Sequence, residues 1–519
     1  MYVVNALHRA AQISPNRIAT VHQGRVRTWS QLKDRVARLA ATLQQMGIQR
    51  GERVALLGWN TDHYMECLLA VPWLGAVVVP INTRLAVPEV VQQLAHAEVR
   101  TLIYDKSLSG FVAKAIEQSG QGLRLLSLGG ADDTLRARDA EAALKEQAPI
   151  PDANPQPDDM MGIFYTGGTT GVPKGVVATH ANLAHQITLH AVDLGWSADT
   201  RYLHVLPLFH LGGMTTAFTL VSLMGCSHFM ERFDAAQCLE RLHDERITAV
   251  ALSPVSIGWM LDSPRLAELD LSMLRDLSYG TAPITEALLR RAVEKLPAAR
   301  FTQIYGQTEV TGTISALKPE DHTLDGNHMG RLRSAGRASA GVQVQVVDAR
   351  EQPVPLGELG EIVVRSPGVM KGYLNNDEQT ALTLAGGWLH TGDIGRLDAD
   401  GFLFVMDRKK DMIVTGGENV YSSEVEQAIA SCPGVAQVAV FGVPDDTWGE
   451  AVHAVVVPVA GGELTVETVA AHCRRLIAGF KCPKGIELRR EPLPLSGVNK
   501  VQKHLLREPY WRDRARRVN

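Results

Sequence analysis

The chain has little cysteine. Its 519 residues hold six, at positions 67, 226, 238, 432, 473 and 482, and no two stand in C-x-x-C spacing. That excludes a disulfide scaffold and a zinc ribbon, and leaves free thiols in a reducing cytoplasm as the expectation. An excess of one charge is also missing. Lys plus Arg number 52 against 56 Asp plus Glu, a net charge of −4, so the basic footprint of a nucleic-acid binder is absent. There is no long hydrophobic run. The most apolar stretch, 68–81, is about 14 residues long and carries Pro72 and Pro80, whereas a membrane-spanning helix needs about 20; it reads as core. The opening residues, MYVVNALHRAAQISPNR, lack the apolar run and small-residue cleavage site of a signal peptide. One local excess stands out. Residues 507–519 carry arginines at 507, 512, 514, 516 and 517 against Glu508 and Asp513. This tail reads as solvated, with an anionic membrane surface or an acidic cofactor as the alternative contact.

What is present is an ordinary globular composition, 45% apolar and 21% charged. That is enough for large cores, and the length suggests about three structural units. Ser30 reads as an N-cap before Leu32, Val36, Leu39 and Leu43, a helical stripe ending at Gly47. The pattern predicts a buried strand at 53–58, a helix at 60–71 and a strand at 75–81. Helices follow near 87–96, 109–118, 180–193, 234–245 and 285–295, with strands near 100–104, 123–127, 203–206, 247–252 and 301–305. Such alternation predicts α/β units with parallel sheets. Residues 129–159, rich in Ala, Asp and Pro, read as a surface connection. Beyond about residue 340 the text turns β-rich, with strands at 342–347, 360–365 and 401–407. Past 410 come a helix at 422–431, strands at 435–441 and 452–457, and a helix at 465–478. The polar run Asp407-Arg408-Lys409-Lys410-Asp411 is the best domain boundary. The expected fold is α/β. A large N-terminal domain, 1–409, joins parallel-sheet subdomains to a small β subdomain, and an α+β C-terminal domain spans 410–519. No internal repeat is visible.

The most informative stretch is Tyr165-Thr166-Gly167-Gly168-Thr169-Thr170-Gly171-Val172-Pro173-Lys174-Gly175, which follows an apolar strand. Glycines let backbone approach an anion, N–H groups and threonine hydroxyls donate to it, and Lys174 adds charge. This is what a polyphosphate cradle needs. It is not a Walker A loop, because Lys174 follows Pro173 and precedes Gly175. A second segment, Tyr305-Gly306-Gln307-Thr308-Glu309, puts hydroxyls and a carboxylate at a strand's C-terminal end, where α/β sheets bind ligands.

With these segments the sequence resembles the adenylate-forming superfamily of acyl- and aryl-CoA synthetases, carrier-protein-loading adenylation domains and firefly-type luciferases. The resemblance covers nearly the whole chain, and 200–519 look most like bacterial fatty-acyl and feruloyl-type CoA ligases. It implies that Thr166, Gly167, Gly168, Thr169, Thr170, Gly171 and Lys174 hold ATP phosphates. It implies that Glu309, with Thr166, coordinates Mg²⁺, that Thr308 touches phosphate, and that Tyr305, beside Gly306, stacks on adenine. A hard cation with oxygen ligands suits that donor set. Gly280, Ala282 and Pro283, in the turn after Tyr279, would border adenine and the acyl group. Asp393, in His390-Thr391-Gly392-Asp393, matches the family's ribose-binding acid, and Arg408 its ribose- and phosphate-contacting arginine; from the residues alone Asp393 reads as a turn residue.

The resemblance also makes the C-terminal domain mobile, with Lys410 as its hinge. Gly416 and Gly417 would swing in beside pantetheine. Lys500 matches the catalytic lysine, with Asn499 where the family usually has Gly; from spacing alone Lys500 and Lys503 read as solvated helix-start lysines. Electrostatically, a mobile ammonium bridging attacking carboxylate and leaving pyrophosphate stabilises that transition state. His210, in Leu206-Pro207-Leu208-Phe209-His210-Leu211-Gly212-Gly213, stands where the family gates its acyl pocket. Trp448, Phe480 and Lys484 would contact CoA, with Cys482 replacing one arginine of an aryl-CoA ligase pattern. His180, His185 and His190 step about 140° apart on a helix, so they do not form one metal-binding face.

The implied activity is ATP-dependent ligation of a carboxylic acid to CoA through an acyl-adenylate, releasing AMP and pyrophosphate; the alternative is a stand-alone adenylation enzyme loading a carrier protein. Segments 209–214 and 310–314 hold no acid or base besides His210, which disfavours an amino acid, whose buried ammonium would need a partner. Medium or long fatty acids and arylpropenoic acids such as ferulate fit, with fatty acids preferred. ATP, Mg²⁺ and CoA are the expected cofactors. The expected partners are the carboxylic acid and CoA, with peripheral membrane contact and a homodimer as further candidates, no nucleic acid, and a cytoplasmic location.

Overall fold

The computed structural model describes residues 2–166, 174–282, 284–322, 326–409, 411–459, 461–497 and 499–512. Gly167, Gly168, Thr169, Thr170, Gly171, Pro283 and Lys410 therefore lie outside the described residues. Among the described residues the strands form sheets of eight, nine, four and five strands. The protein is α/β as expected, with its parallel sheets in the N-terminal part.

The eight-stranded sheet is built on short apolar strands such as Arg53–Leu57 and Val77–Pro80, the latter buried throughout. They pair in parallel, as strands covered on both faces do. Met160–Thr166 joins Val77–Pro80 in parallel and then turns back antiparallel through Lys174–Thr179. The nine-stranded sheet repeats the theme. Arg201–His204, Ala249–Leu252, Asp276–Gly280 and Arg300–Gln307 run parallel, and Gly312–Leu317 returns antiparallel. Helices Asp62–Trp73 and His180–Leu194 each touch strands of both sheets, so one hydrophobic core draws on both.

Helix Trp29–Gln45 starts two residues earlier than Ser30 as N-cap suggests. Its N-cap is Thr28, whose hydroxyl accepts from Gln31 N while the Gln31 side chain accepts from Thr28 N, a capping box. Ser30 sits inside the first turn. The 68–81 run is core, split between the end of helix Asp62–Trp73 and strand Val77–Pro80. Residues 129–159 are more than a connection. They contain strand Arg138–Asp139 and helix Ala140–Lys145, capped by the Asp139 carboxylate. Its Glu141 reaches Arg35 at 2.6 Å.

The β-rich part is a four-stranded antiparallel sheet of Gln343–Val347, Gly360–Arg365, Leu389–Leu397 and Leu403–Arg408. Leu389–Leu397 was not expected as a strand, because its Thr-Gly-Asp centre breaks the alternating pattern. From Ile413 onward a five-stranded sheet carries helices Ser422–Ala430 and Val466–Leu476 around its own core. All six cysteines are free thiols, five of them buried. No helix among the described residues is long and apolar enough to cross a membrane.

Candidate active site

The cleft of about 2770 Å³ opens at the C-terminal ends of the parallel strands Asp276–Gly280 and Arg300–Gln307 and reaches the C-terminal sheet's helices. Two glycines are required there by close backbone approach. A Cβ at Gly280 would meet Ile304 O at 2.5 Å, and one at Gly306 would run into Gly312 O. Gly280, Ala282, Tyr305, Gly306, Thr308, Glu309 and Thr166 all line the cleft.

Asp393 is the electrostatic centre of one wall. It lies directly across the antiparallel ladder from Arg408, and Arg408 Nε reaches Asp393 Oδ1 at 2.7 Å. Tyr305 donates its hydroxyl to Asp393 Oδ2 at 2.6 Å. Asp393 is only 3% exposed. The Asp393 charge, against the cost of burial, raises Arg408 above its ordinary pKa; burial and Asp393 together push the Tyr305 phenol well up. Asp393 is thus a buried, paired carboxylate inside a strand, and the turn reading is corrected.

Glu309 is backed by a residue that the sequence does not single out, and this residue and Lys174 both lie outside the cleft's lining. Tyr373 donates to Glu309 Oε1 at 3.0 Å, and the Lys174 ammonium stands 5.2 Å over the Tyr373 ring. Strand pairing of Gly372–Tyr373 with Lys174–Thr179 creates this contact. It joins residues almost 200 positions apart, so no local pattern reveals it. Among the described residues no cluster of three or more His, Cys, Asp and Glu could hold a metal alone. Glu309 with the hydroxyls of Thr166 and Thr308 supplies hard oxygen donors but not a full shell, which suits a cation completed by phosphate and water.

Lys500 lines the same cleft. It closes a small hairpin in which Leu495 bridges Val501, and Ser496 N donates to Lys500 O at 2.7 Å. Asn499 takes φ +57°, a left-handed conformation that Asn tolerates better than most residues; this accounts for Asn in a place the family gives to Gly. The Asn499 side chain donates to Ser256 Oγ at 3.1 Å and accepts from Arg84 at 3.3 Å, and Arg84 also donates to Ser496 O at 2.6 Å. Arg84 was missed by the sequence reading. Lys503 is no solvated lysine. It is paired with Glu426 at 2.7 Å and donates to Ser422 at 2.6 Å.

His210 lines the cleft as the N-cap of helix Leu211–Leu223, its Nδ1 accepting from Gly212 N at 3.3 Å. Burial pushes its pKa down to about 4, so the ring is neutral near pH 7 with its proton on Nε2. The other candidates do not join the cleft. Gly416 and Gly417 form the turn of the hairpin Ile413–Thr415 and Glu418–Val420, both at positive φ, and a Cβ on Gly416 would meet the Trp448 ring at 2.7 Å. Lys484 Nζ sits 4.3 Å over that ring. Trp448 is 48% and Phe480 44% exposed. Cys482 Sγ contacts the backbone carbonyls of Ile477 and Ala478 instead.

The fold is that of the adenylate-forming enzymes. A family model described as AMP-binding enzyme matches residues 7–374, and one described as AMP-binding enzyme C-terminal domain matches 424–500. The chain is 37% identical to a feruloyl-CoA synthase of an Amycolatopsis species, over 97% of this chain and 98% of that protein. It is 34% identical to a fatty acid–[acyl-carrier-protein] ligase of Streptomyces coeruleorubidus, over 98% and 96%. An amide bond synthetase from Marinactinospora thermotolerans superposes with a TM-score of 0.88 at 31% identity, covering 98% of this chain and 100% of that one. The chain belongs to the AMP-binding enzyme family, among its AMP-forming acyl- and aryl-CoA ligases.

Proposed function

We propose that this enzyme joins an apolar fatty or aryl carboxylic acid to CoA in two half-reactions at one cleft. The observation that carries the reading is the position of Lys500, which lines the same cleft as Tyr305, Asp393, Arg408 and Glu309, while Gly416, Trp448 and Lys484 make a separate surface cluster. In the first step a carboxylate oxygen attacks the α-phosphorus of ATP and pyrophosphate leaves. Asp393 and Arg408 hold the ribose, Tyr305 and Gly280 form the adenine wall, and Lys500 neutralises charge developing between acid and α-phosphate. In the second step the C-terminal domain, 410–519, turns about Lys410. Lys500 leaves, the Gly416-Gly417 turn enters, the CoA thiol attacks the acyl carbon and AMP departs. Trp448, Phe480 and Lys484 then offer CoA an aromatic face and a cation. Mg²⁺ would be held by Glu309 and Thr166, screening the phosphate charge when bound.

The test is a panel of carboxylic acids scored for pyrophosphate release, AMP and acyl-CoA. Acid-dependent pyrophosphate release with CoA-dependent AMP and thioester formation is the expected result. The second reading, loading of a carrier protein, is favoured by the relative named as an acyl-carrier-protein ligase and by Cys482 in the CoA pattern. It predicts pyrophosphate release with no turnover of free CoA.

A further inference from the structure

We infer that the acid this enzyme activates carries an uncharged hydrogen-bonding group, a hydroxyl, ether or keto oxygen, distant from its carboxylate, and that His190 and Thr215 read it. The inference rests on the acid-activating function proposed above and narrows its substrate. His190, on helix His180–Leu194, and Thr215, on helix Leu211–Leu223, both line the cleft, and the two helices pack against each other. His190 is 8% exposed and Thr215 2%. His190 Nδ1 and Thr215 Oγ1 nevertheless lack any hydrogen-bond partner.

Thr215 is the exception among its neighbours. A buried helical threonine ordinarily returns its hydroxyl to the carbonyl one turn back. Thr216 does so to Gly212 O at 2.9 Å and Thr219 to Thr215 O at 2.8 Å. Unmatched buried polar atoms are rare in folded proteins and point to something that completes them. Four such atoms line the cleft, Thr281 Oγ1 and Gln307 Nε2 being the others; His190 and Thr215 are the buried pair, on helices that pack together, and an uncharged polar substituent reaching them would complete them.

The group is uncharged for a reason on the same wall. Burial pushes His190 down to about 4, so it is neutral near pH 7. His210, down to about 4 as well, offers no charge either. Neither ring supplies a counter-ion to a carboxylate or an ammonium brought beside it. A bare alkyl or phenyl terminus would leave both polar atoms unpaired, and a site built to bond a substrate oxygen discriminates strongly against the analogue lacking it.

The experiment compares matched acids on the full-length enzyme by acid-dependent pyrophosphate release: 4-hydroxycinnamate against cinnamate, and 8-hydroxyoctanoate against octanoate. The expected result is a kcat/KM ratio favouring the oxygen-bearing member by roughly 10- to 100-fold in at least one pair. His190→Phe and Thr215→Val should each collapse that ratio toward one. A structural role would lower both members of a pair together and leave the ratio intact, which overturns the inference. So does a wild-type enzyme that favours the oxygen-bearing member in neither pair. No acid-dependent release with any acid would instead overturn the ligase reading, and this inference with it.

Discussion

Asp393 is held from three directions. Its carboxylate takes the Tyr305 hydroxyl and the Arg408 guanidinium, and its own N–H donates to Thr391 Oγ1 at 3.1 Å. A ribose reaching this carboxylate meets an acceptor already fixed in place, which is what preorganised binding needs. Asp393→Ala should lower kcat/KM for ATP on the order of 100-fold, since a charge-assisted pair is lost and Arg408 loses its counter-charge. An ATP titration of pyrophosphate release checks this; an unaltered ATP dependence would remove Asp393 from the nucleotide site. Lys500→Ala should cut adenylation by roughly 10²- to 10³-fold, the scale of one electrostatic transition-state contact, yet spare thioester formation from supplied acyl-adenylate. Equal loss in both assays would reject a role confined to the first step. Only the resemblance singles out these two residues and Glu309; from spacing alone Lys500 reads as a solvated lysine. Asp393 by itself looks like any acid after a glycine, because its meaning comes from facing Arg408 across a ladder whose register shifts between Ile394 and Gly395.

At the level of elements, the hairpin carrying Lys500 is latched to the N-terminal part by Arg84 and Ser256 through Asn499 and Ser496. Gly497 fits against Asn82, whose side chain would meet an added Cβ at 2.9 Å. Asn499→Gly keeps the left-handed backbone available but deletes the side-chain bridge. It should slow pyrophosphate release about 5-fold, the worth of one such hydrogen bond, and leave thioester formation from supplied acyl-adenylate at or above its wild-type rate. Single-turnover measurement of each half-reaction checks this, and slowing of both would show that the latch serves folding instead. Elements with strong local patterns were legible. Helix Val87–His96 has the expected bounds, and most parallel strands fall within a few residues of prediction. What escaped was set by distant partners. Helix Ala140–Lys145 is too short for a period to show, and its place depends on Arg35. Strand Gly372–Tyr373 exists only as the partner of Lys174–Thr179.

Across the whole molecule the two large sheets are tied by buried charge as well as by the shared core. Asp62, at the start of helix Asp62–Trp73, accepts from His22 and Arg25 at 2.9 Å each and pairs with Arg27. Those partners come from Ile18–His22 and the edge strand Arg25–Thr28, at one end of the nine-stranded sheet. One turn on, Glu66 accepts from Arg35 at 2.7 Å, and Arg35 reaches Glu141 beyond it. Burial alone would raise the Asp62 pKa, but His22, Arg25 and Arg27 hold it far below the usual carboxylate range. A carboxyl whose folded pKa is depressed binds fewer protons folded than unfolded. Its stabilisation is therefore full above the unfolded value of about 4 and drains away as pH falls below it. Removing one partner of such a network leaves the other charges buried and uncompensated, at a cost of about 3–5 kcal/mol. Asp62→Asn should thus lower the urea midpoint strongly at pH 7. Between pH 5 and pH 3 its stability should fall less steeply than that of the wild type, because the group that titrates is gone. Urea titrations of both proteins across that range decide the matter. Parallel pH profiles would mean that Asp62 is not what acid attacks, and that the two sheets are held by their apolar core alone.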